Sequence, residues 1–391
     1  MAGSRPLSAG LHRMTPRDPA EPHRAASPLE LLFDLVFVVA VSFSSQELHH
    51  LLVEGHVADG IVSYLMLFFA IWWAWMNFTW FATSFDTDDW LYRLTTIVQM
   101  AGALILAAGS HAAMQDHDFT VVTIGYVVMR LALVSQWLRA AAGSRELRGT
   151  ALRYASGIAV VQVAWLLRLL LPGTAGTIAF VVLAAAEVAV PIWAEARRPT
   201  PWNPHHIAER YSLFTLILLG ESILASANSI VEAIGAGGHH LPALLTLAVV
   251  GLCLAAGMWW VYFSREQHQH IGELRHTLTF GYFHYVIFAA AGAFSAGIEV
   301  TVDALGGEAR LSAVAAAAVL TVPVALFLLG VWWITLRHAL GAPGNALLLV
   351  GVAVVLAGTA LGGLAAVIVA AAGVALVVVA TELPAPMPST A

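Results

Sequence analysis

The stretch Leu29–Leu48, LELLFDLVFVVAVSFSSQEL, carries two acids at the start of an otherwise apolar run. About 20 mostly apolar residues at 1.5 Å each cross roughly 30 Å of hydrocarbon, and this run has that length. The rest of the chain shares its character. Of 391 residues, 59% are hydrophobic and only 11% are charged, whereas an ordinary soluble domain carries roughly 25% charged residues. Eleven further runs follow, near 61–82, 92–113, 120–140, 151–171, 175–194, 206–229, 241–263, 276–298, 311–336, 344–361 and 364–381. The expected fold is an all-α, polytopic integral membrane bundle of about 12 transmembrane helices. The last two form one Ala/Val/Gly-rich run in which Gly362-Gly363 marks the break.

Residues 1–27 are polar and rich in Pro and Arg, with no apolar core that would serve as a signal peptide. They read as a disordered cytoplasmic tail, and residues 383–391 read as a second disordered tail. The 18 basic residues are all arginine. With the N-terminus inside, every arginine except Arg168, Arg310 and mid-helix Arg130 falls in or beside an inner loop, as retention of positive charge on the cytoplasmic side requires. Trp80, Trp137, Trp193, Trp259-Trp260 and Trp332-Trp333 fall near the expected inner ends of the second, fourth, sixth, eighth and tenth helices, where interfacial indoles collect. Both signals predict a multi-pass protein of the bacterial cytoplasmic (inner) membrane with both termini cytoplasmic.

A weak internal correspondence sets Trp72-Trp73-Ala74-Trp75 against Trp259-Trp260-Val261-Tyr262, and Glu30 against Glu209 at the openings of helices one and seven. It suggests two six-helix halves, 28–194 and 195–382, related as a parallel repeat, a pattern found in transporters.

Several function classes drop out. The arginines form no basic face for nucleic acid. The single cysteine, Cys253, excludes an intrachain disulfide and any multi-cysteine metal or redox motif. Nucleotide and hydrolase fingerprints are absent, and no cofactor is expected.

The intramembrane charges carry the remaining chemistry. Ser27-Pro28-Leu29-Glu30 reads as a capping box, with Ser at the cap and Glu three residues on. Asp34 lies one turn further, about 10 Å up the axis from the cap, as an interfacial carboxylate or a bundle-interior site. Glu221 follows Glu209-Arg210 by about 18 Å of helix, which places it near the bilayer midplane. A charge at that depth is costly and marks a functional position unless paired. Ala225, Asn228 and Gly220 suggest that its face looks inward. Candidate partners are Arg130 as the countercharge and His284 as a proton relay, with Glu187 as a competing acid; Glu299 reads as a solvated helix end. Histidines and acids crowd several loops, most tightly Glu266-Gln267-His268-Gln269-His270 with Glu273 and His276, but without defined ligand spacing no metal is assigned.

Three blocks give a family resemblance: Pro28-Leu29-Glu30-Leu31-Leu32-Phe33-Asp34-Leu35-Val36-Phe37; Glu209-Arg210-Tyr211-Ser212-Leu213-Phe214-Thr215 continuing to Leu219-Gly220-Glu221-Ser222; and Tyr282-Phe283-His284 to Gly297-Ile298-Glu299. In these the chain resembles the bacterial low temperature requirement protein A (LtrA) family, whose usual Leu-Phe-Phe-Asp has Leu32 for its first Phe here. The resemblance implies a multi-spanning membrane protein and marks Glu30, Asp34, Glu209, Arg210, Glu221 and His284 as motif positions, without assigning them a reaction. The functional expectation is a secondary transporter or ion-coupled permease of unknown substrate, with Asp34 and Glu221 as proton or cation sites and Arg130 or His284 as partner. The alternatives are an intramembrane lipid-modifying enzyme and a non-catalytic sensor or scaffold in cold adaptation.

Overall fold

The structure, a computed structural model, describes residues 10–21, 24–235, 240–265 and 274–383. Twelve helices among the described residues are long and apolar enough to cross a membrane. We number them α1 (Pro28–Val53), α2 (Val57–Phe85), α3 (Trp90–Ala108), α4 (Thr120–Gly143), α5 (Arg148–Arg168), α6 (Gly173–Glu195), α7 (Pro204–Gly235), α8 (Leu241–Phe263), α9 (Leu274–Gly306), α10 (Ala313–Val331), α11 (Ala342–Gly358) and α12 (Gly363–Glu382). The protein is thus an all-α, multi-spanning membrane protein. Val160, Val163, Val181 and Val249 are among the many large apolar side chains left exposed along these helices, as a lipid-facing surface requires.

Glycine chemistry sets two of the helix ends. Gly362 and Gly363 both take positive φ, +66° and +52°, a backbone region in which a Cβ is strained, and they separate α11 from α12 as the sequence suggests. The third span is shorter than 92–113. It stops at Ala108, and a separate short helix, Ser110–Gln115, follows. A Cβ on the intervening Gly109 would lie 2.8 Å from the backbone nitrogen of Val122, so the chain breaks where α4 passes against it.

The chain divides into two compact units. Unit 1 comprises residues 1–44 and 66–211, and unit 2 comprises 45–65 and 212–391. Within unit 1, α3 and α4 approach backbone to backbone: a Cβ on Gly102 would meet the Gly125 carbonyl at 2.8 Å, and one on Gly125 would meet Leu106 N at 2.5 Å. Small residues at such crossings replace the hydrophobic driving force that lipid removes. Unit 2 repeats the device between α11 and α12 at Gly351 and Gly373. There α9 is largely buried, whereas α8 presents most of its apolar surface outward.

From residue 10 onward, the segment expected as a disordered tail is bonded within unit 1. His12 N–H donates to Asp89 at 3.0 Å, Arg13 Nε to the Gly143 carbonyl at 2.7 Å, and Arg17 N–H to the Ser84 carbonyl at 2.9 Å. Arg24 donates to the Thr83 and Ala82 carbonyls at 2.5 and 2.8 Å. The last carbonyls of a helix lack intrahelical donors, so arginines in a polar segment find partners at the ends of α2 and α4. Residues 384–391, read as the second tail, lie outside the described residues. The tryptophan expectation divides too. Trp193, Trp259, Trp260 and Trp333 are exposed, but Trp137 is buried against Tyr154 in a stack with centroids 4.0 Å apart.

Candidate functional site

The capping box forms as the sequence implies. Ser27 N–H donates to Glu30 Oε2 at 2.8 Å, and Glu30 N–H to Ser27 Oγ at 3.3 Å. It fixes Glu30 facing the interior of unit 1, and Asp34, one turn on, shares that face. Both are fully buried. The start of α7 brings Arg210 to both: Nη2 lies 2.5 Å from Asp34 Oδ1, Nε 3.2 Å from Oδ2, and Nη1 3.0 Å from Glu30 Oε1. Trp75 of α2 donates its indole N–H to Asp34 at 2.7 Å. Asp34 is therefore a bundle-interior carboxylate, and its countercharge is a motif residue of the second block.

Three residues that the sequence did not single out complete this cluster. His206 sits one turn before Arg210, with Nε2 3.3 Å from Glu30 and Nδ1 3.0 Å from Thr83 Oγ1. Arg24 reaches Glu30 at 4.0 Å and Asp86 at 3.6 Å. Burial pushes the Asp86 carboxyl above the usual carboxylate range, helped by the charge of Glu30 and opposed by Arg24 and Arg17. No pattern marks these three in the sequence, because Arg24 stands in a polar segment, His206 in a loop-like His pair and Asp86 in an acidic turn.

The charges do not cancel. Glu30, Asp34 and Asp86 face two guanidiniums, those of Arg24 and Arg210. Arg17, 3.4 Å from Asp86, brings its own partner Glu21 and adds one charge of each sign. The cluster is one negative charge in excess unless it holds one proton, on His206 or on a carboxyl. A buried net charge is expensive, which favours the protonated, neutral count.

A second buried pair lies deeper in unit 1. Arg130 of α4 donates to Glu187 of α6 at 2.7 Å, both essentially without exposure. Glu187 also accepts from Trp73, Gln162 and Trp165. The expected pairing of Arg130 with Glu221 is thus replaced by the competing acid. Helical depth alone does not tell which acid shares a face with the arginine.

In unit 2, Glu221 is half-buried at the edge of the packed face of α7, which runs through Phe214, Leu218 and Ser222. Ser222 Oγ bonds the Leu218 and Ala291 carbonyls at 3.0 and 3.1 Å, and this orients the helix. Gly220, expected on an inward-looking face, faces open space instead. Glu299, expected as a solvated end, is buried 3.4 Å from His49, whose other nitrogen lies 2.6 Å from Asp303. Glu221 and Glu232 lie within electrostatic reach of Glu299. His284 is fully buried, with Nδ1 2.7 Å from the Phe280 carbonyl and Nε2 3.0 Å from the Tyr262 hydroxyl. A carbonyl only accepts, so Nδ1 carries the proton and Nε2 accepts from Tyr262. That is a satisfied neutral histidine. Glu209 stands half-buried beside Arg210. No metal-binding group of three or more His, Cys, Asp or Glu occurs among the described residues. The loop from Glu266 to Glu273 and the side chain of His276 lie outside them.

Comparison with known proteins identifies a family and a relative. The family described as bacterial low temperature requirement A protein (LtrA) matches residues 25–382. A protein of Rhizobium meliloti (strain 1021), described as uncharacterized protein RA0937, is 27% identical over 258 residues, which cover 62% of this chain and 59% of that relative. The chain therefore spans about three fifths of the length of that relative. No solved structure matches the chain.

Proposed function

Because this chain belongs to the bacterial low temperature requirement A family, whose name gives a growth requirement and no reaction, we propose its activity from the site: proton-coupled secondary transport across the bacterial cytoplasmic membrane. The observation that supports this is the charge count around Glu30, Asp34, Asp86, Arg24 and Arg210, which balances with one proton. Coupled transport needs a buried group that gains and loses a proton while its surroundings rearrange. In this reading, protonation of Asp34 releases Arg210, whose grip joins α7 to α1, and deprotonation restores it. A ligand shifts such an equilibrium only through different affinities for the two states, and the proton has that difference here. The predicted topology puts the cluster toward the cytoplasmic side. Glu221, with Glu299 and His49, is the second titratable group that this reading would use.

The test uses proteoliposomes holding a pH-sensitive dye, with a membrane potential imposed and a small-metabolite extract added outside. Wild-type protein is expected to change the internal pH in response to extract, and Asp34→Asn to abolish the response. An unresponsive wild-type protein between pH 5.5 and 8 would sink the proposal. A deletion strain with an altered lipid profile, restored by wild type and not by Asp34→Asn, would point instead to a lipid-modifying enzyme.

A further inference from the structure

The Arg130–Glu187 pair contains a mismatch that neither folding nor the proton cluster explains. Glu187 is saturated, taking four hydrogen bonds, from Trp73 at 3.0 Å and Arg130 at 2.7 Å on Oε2 and from Gln162 at 2.8 Å and Trp165 at 3.3 Å on Oε1. Arg130 is the reverse. Its guanidinium is 1% exposed, yet Nε and Nη1 have no hydrogen-bond partner among the described residues, and neither has Gln162 Oε1. A buried donor left unmade costs about 1–3 kcal/mol, more when it is charged. Four helices thus converge to fix one carboxylate completely while leaving donors on the cation and an acceptor on the amide beside it.

From these open groups we infer that unit 1 holds a binding site for a small uncharged polyhydroxylated solute, with Arg130 and Gln162 as its polar contacts. The charge class follows from the pair itself. Arg130 and Glu187 already cancel, so an ionic ligand would leave an unpaired charge among buried side chains. The polarity follows from the open groups. Nε and Nη1 lie on different sides of the engaged Nη2, so the ligand must offer separate oxygen acceptors, while Gln162 Oε1 needs a donor. Hydroxyl groups do both. The neighbouring rings fit the same class. The Arg130 guanidinium lies 5.7 Å from the Tyr126 ring centroid, and Trp165 packs edge-on against Tyr126 with centroids 5.9 Å apart. A few placed polar groups among aromatic surfaces are the usual make-up of a small-molecule site. This inference rests on the transport reading and gives it a substrate class.

Binding is measured without any gradient, so it can fail or succeed independently of proton coupling. Purified protein in lipid nanodiscs is titrated with glycerol, inositol and glucose, and with acetate and choline as charged controls, following tryptophan emission. Wild type is expected to give a saturable change with at least one polyol and none with the ions. Arg130→Gln should weaken that response at least about tenfold, and Gln162→Leu, which keeps the other three donors to Glu187, the arginine among them, by about fivefold. Unchanged circular dichroism identifies variants that remain folded. A saturable response to acetate or choline in place of the polyols, no polyol response from folded wild type, or an unchanged response in folded Arg130→Gln and Gln162→Leu would each overturn the site.

Discussion

Asp34 shows how a motif position acquires meaning only from its partner. The sequence places it one turn above a cap, but Arg210, 176 positions away, decides that it is an interior ion pair. Removing one member of a buried pair strands the other, at a cost of about 3–5 kcal/mol. Asp34→Asn is therefore expected to lower the unfolding midpoint in detergent, and the double variant with Arg210→Gln to lose less than the sum of the two single losses. Strictly additive losses would contradict a direct interaction. Glu187 teaches the complementary lesson. It was legible as an intramembrane acid, yet nothing in its own helix showed that Arg130, Trp73, Gln162 and Trp165 would all turn to it, because that information is spread over four segments. Glu221 is legible as a charge on a long apolar helix but its angular position is not, since the face set by Ser222 and Leu218 buries the neighbouring residue and leaves the acid at its edge.

Helix lengths and breaks were largely readable, because hydrophobic run length and glycine pairs govern them. Which glycines touch was not. Gly102–Gly125 and Gly351–Gly373 look no different in sequence from Gly220, which faces open space. Gly102→Leu is expected to force α3 from α4 and cost about 1–3 kcal/mol or more, whereas Gly220→Ala should leave the unfolding midpoint within about 0.5 kcal/mol of wild type; equal effects would refute the assigned contacts. The segment before α1 carries a pH-dependent lock. Burial raises the Asp89 carboxyl, but the hydrogen bonds from Arg139 and from the Tyr92 and His12 backbone N–H groups outweigh it and leave the group below its ordinary range. A depressed folded value contributes stability above the unfolded value of 3.8, which is lost as pH falls through the lowered one. Cleavage by an acid-active protease within residues 10–21 is expected to stay slow near pH 5 and to rise as pH drops below about 4. In Asp89→Asn the segment should be open at both pH values.

Across the whole chain, composition alone established the membrane class, and the twelve spans followed from run length. Orientation rests on the arginine distribution and has its own check. In a Cys253→Ala background, Asp116→Cys and Arg145→Cys place thiols in exposed turns on either side of α4. An impermeant thiol reagent applied to intact cells is expected to label position 116 and spare 145; the opposite pattern would invert the topology. The long separation of Asp34 from Arg210 also bears on how the protein is made. At roughly 5–20 residues per second, the ribosome releases Asp34 about 10–35 s before its partner Arg210 exists. For that interval Asp34 travels without its counter-ion, whereas Arg24, made before α1, is already there for Glu30, so the early stay of the helix in the translocon must keep Asp34 protonated or near water. Its final depth is reached only once the seventh helix has been translated.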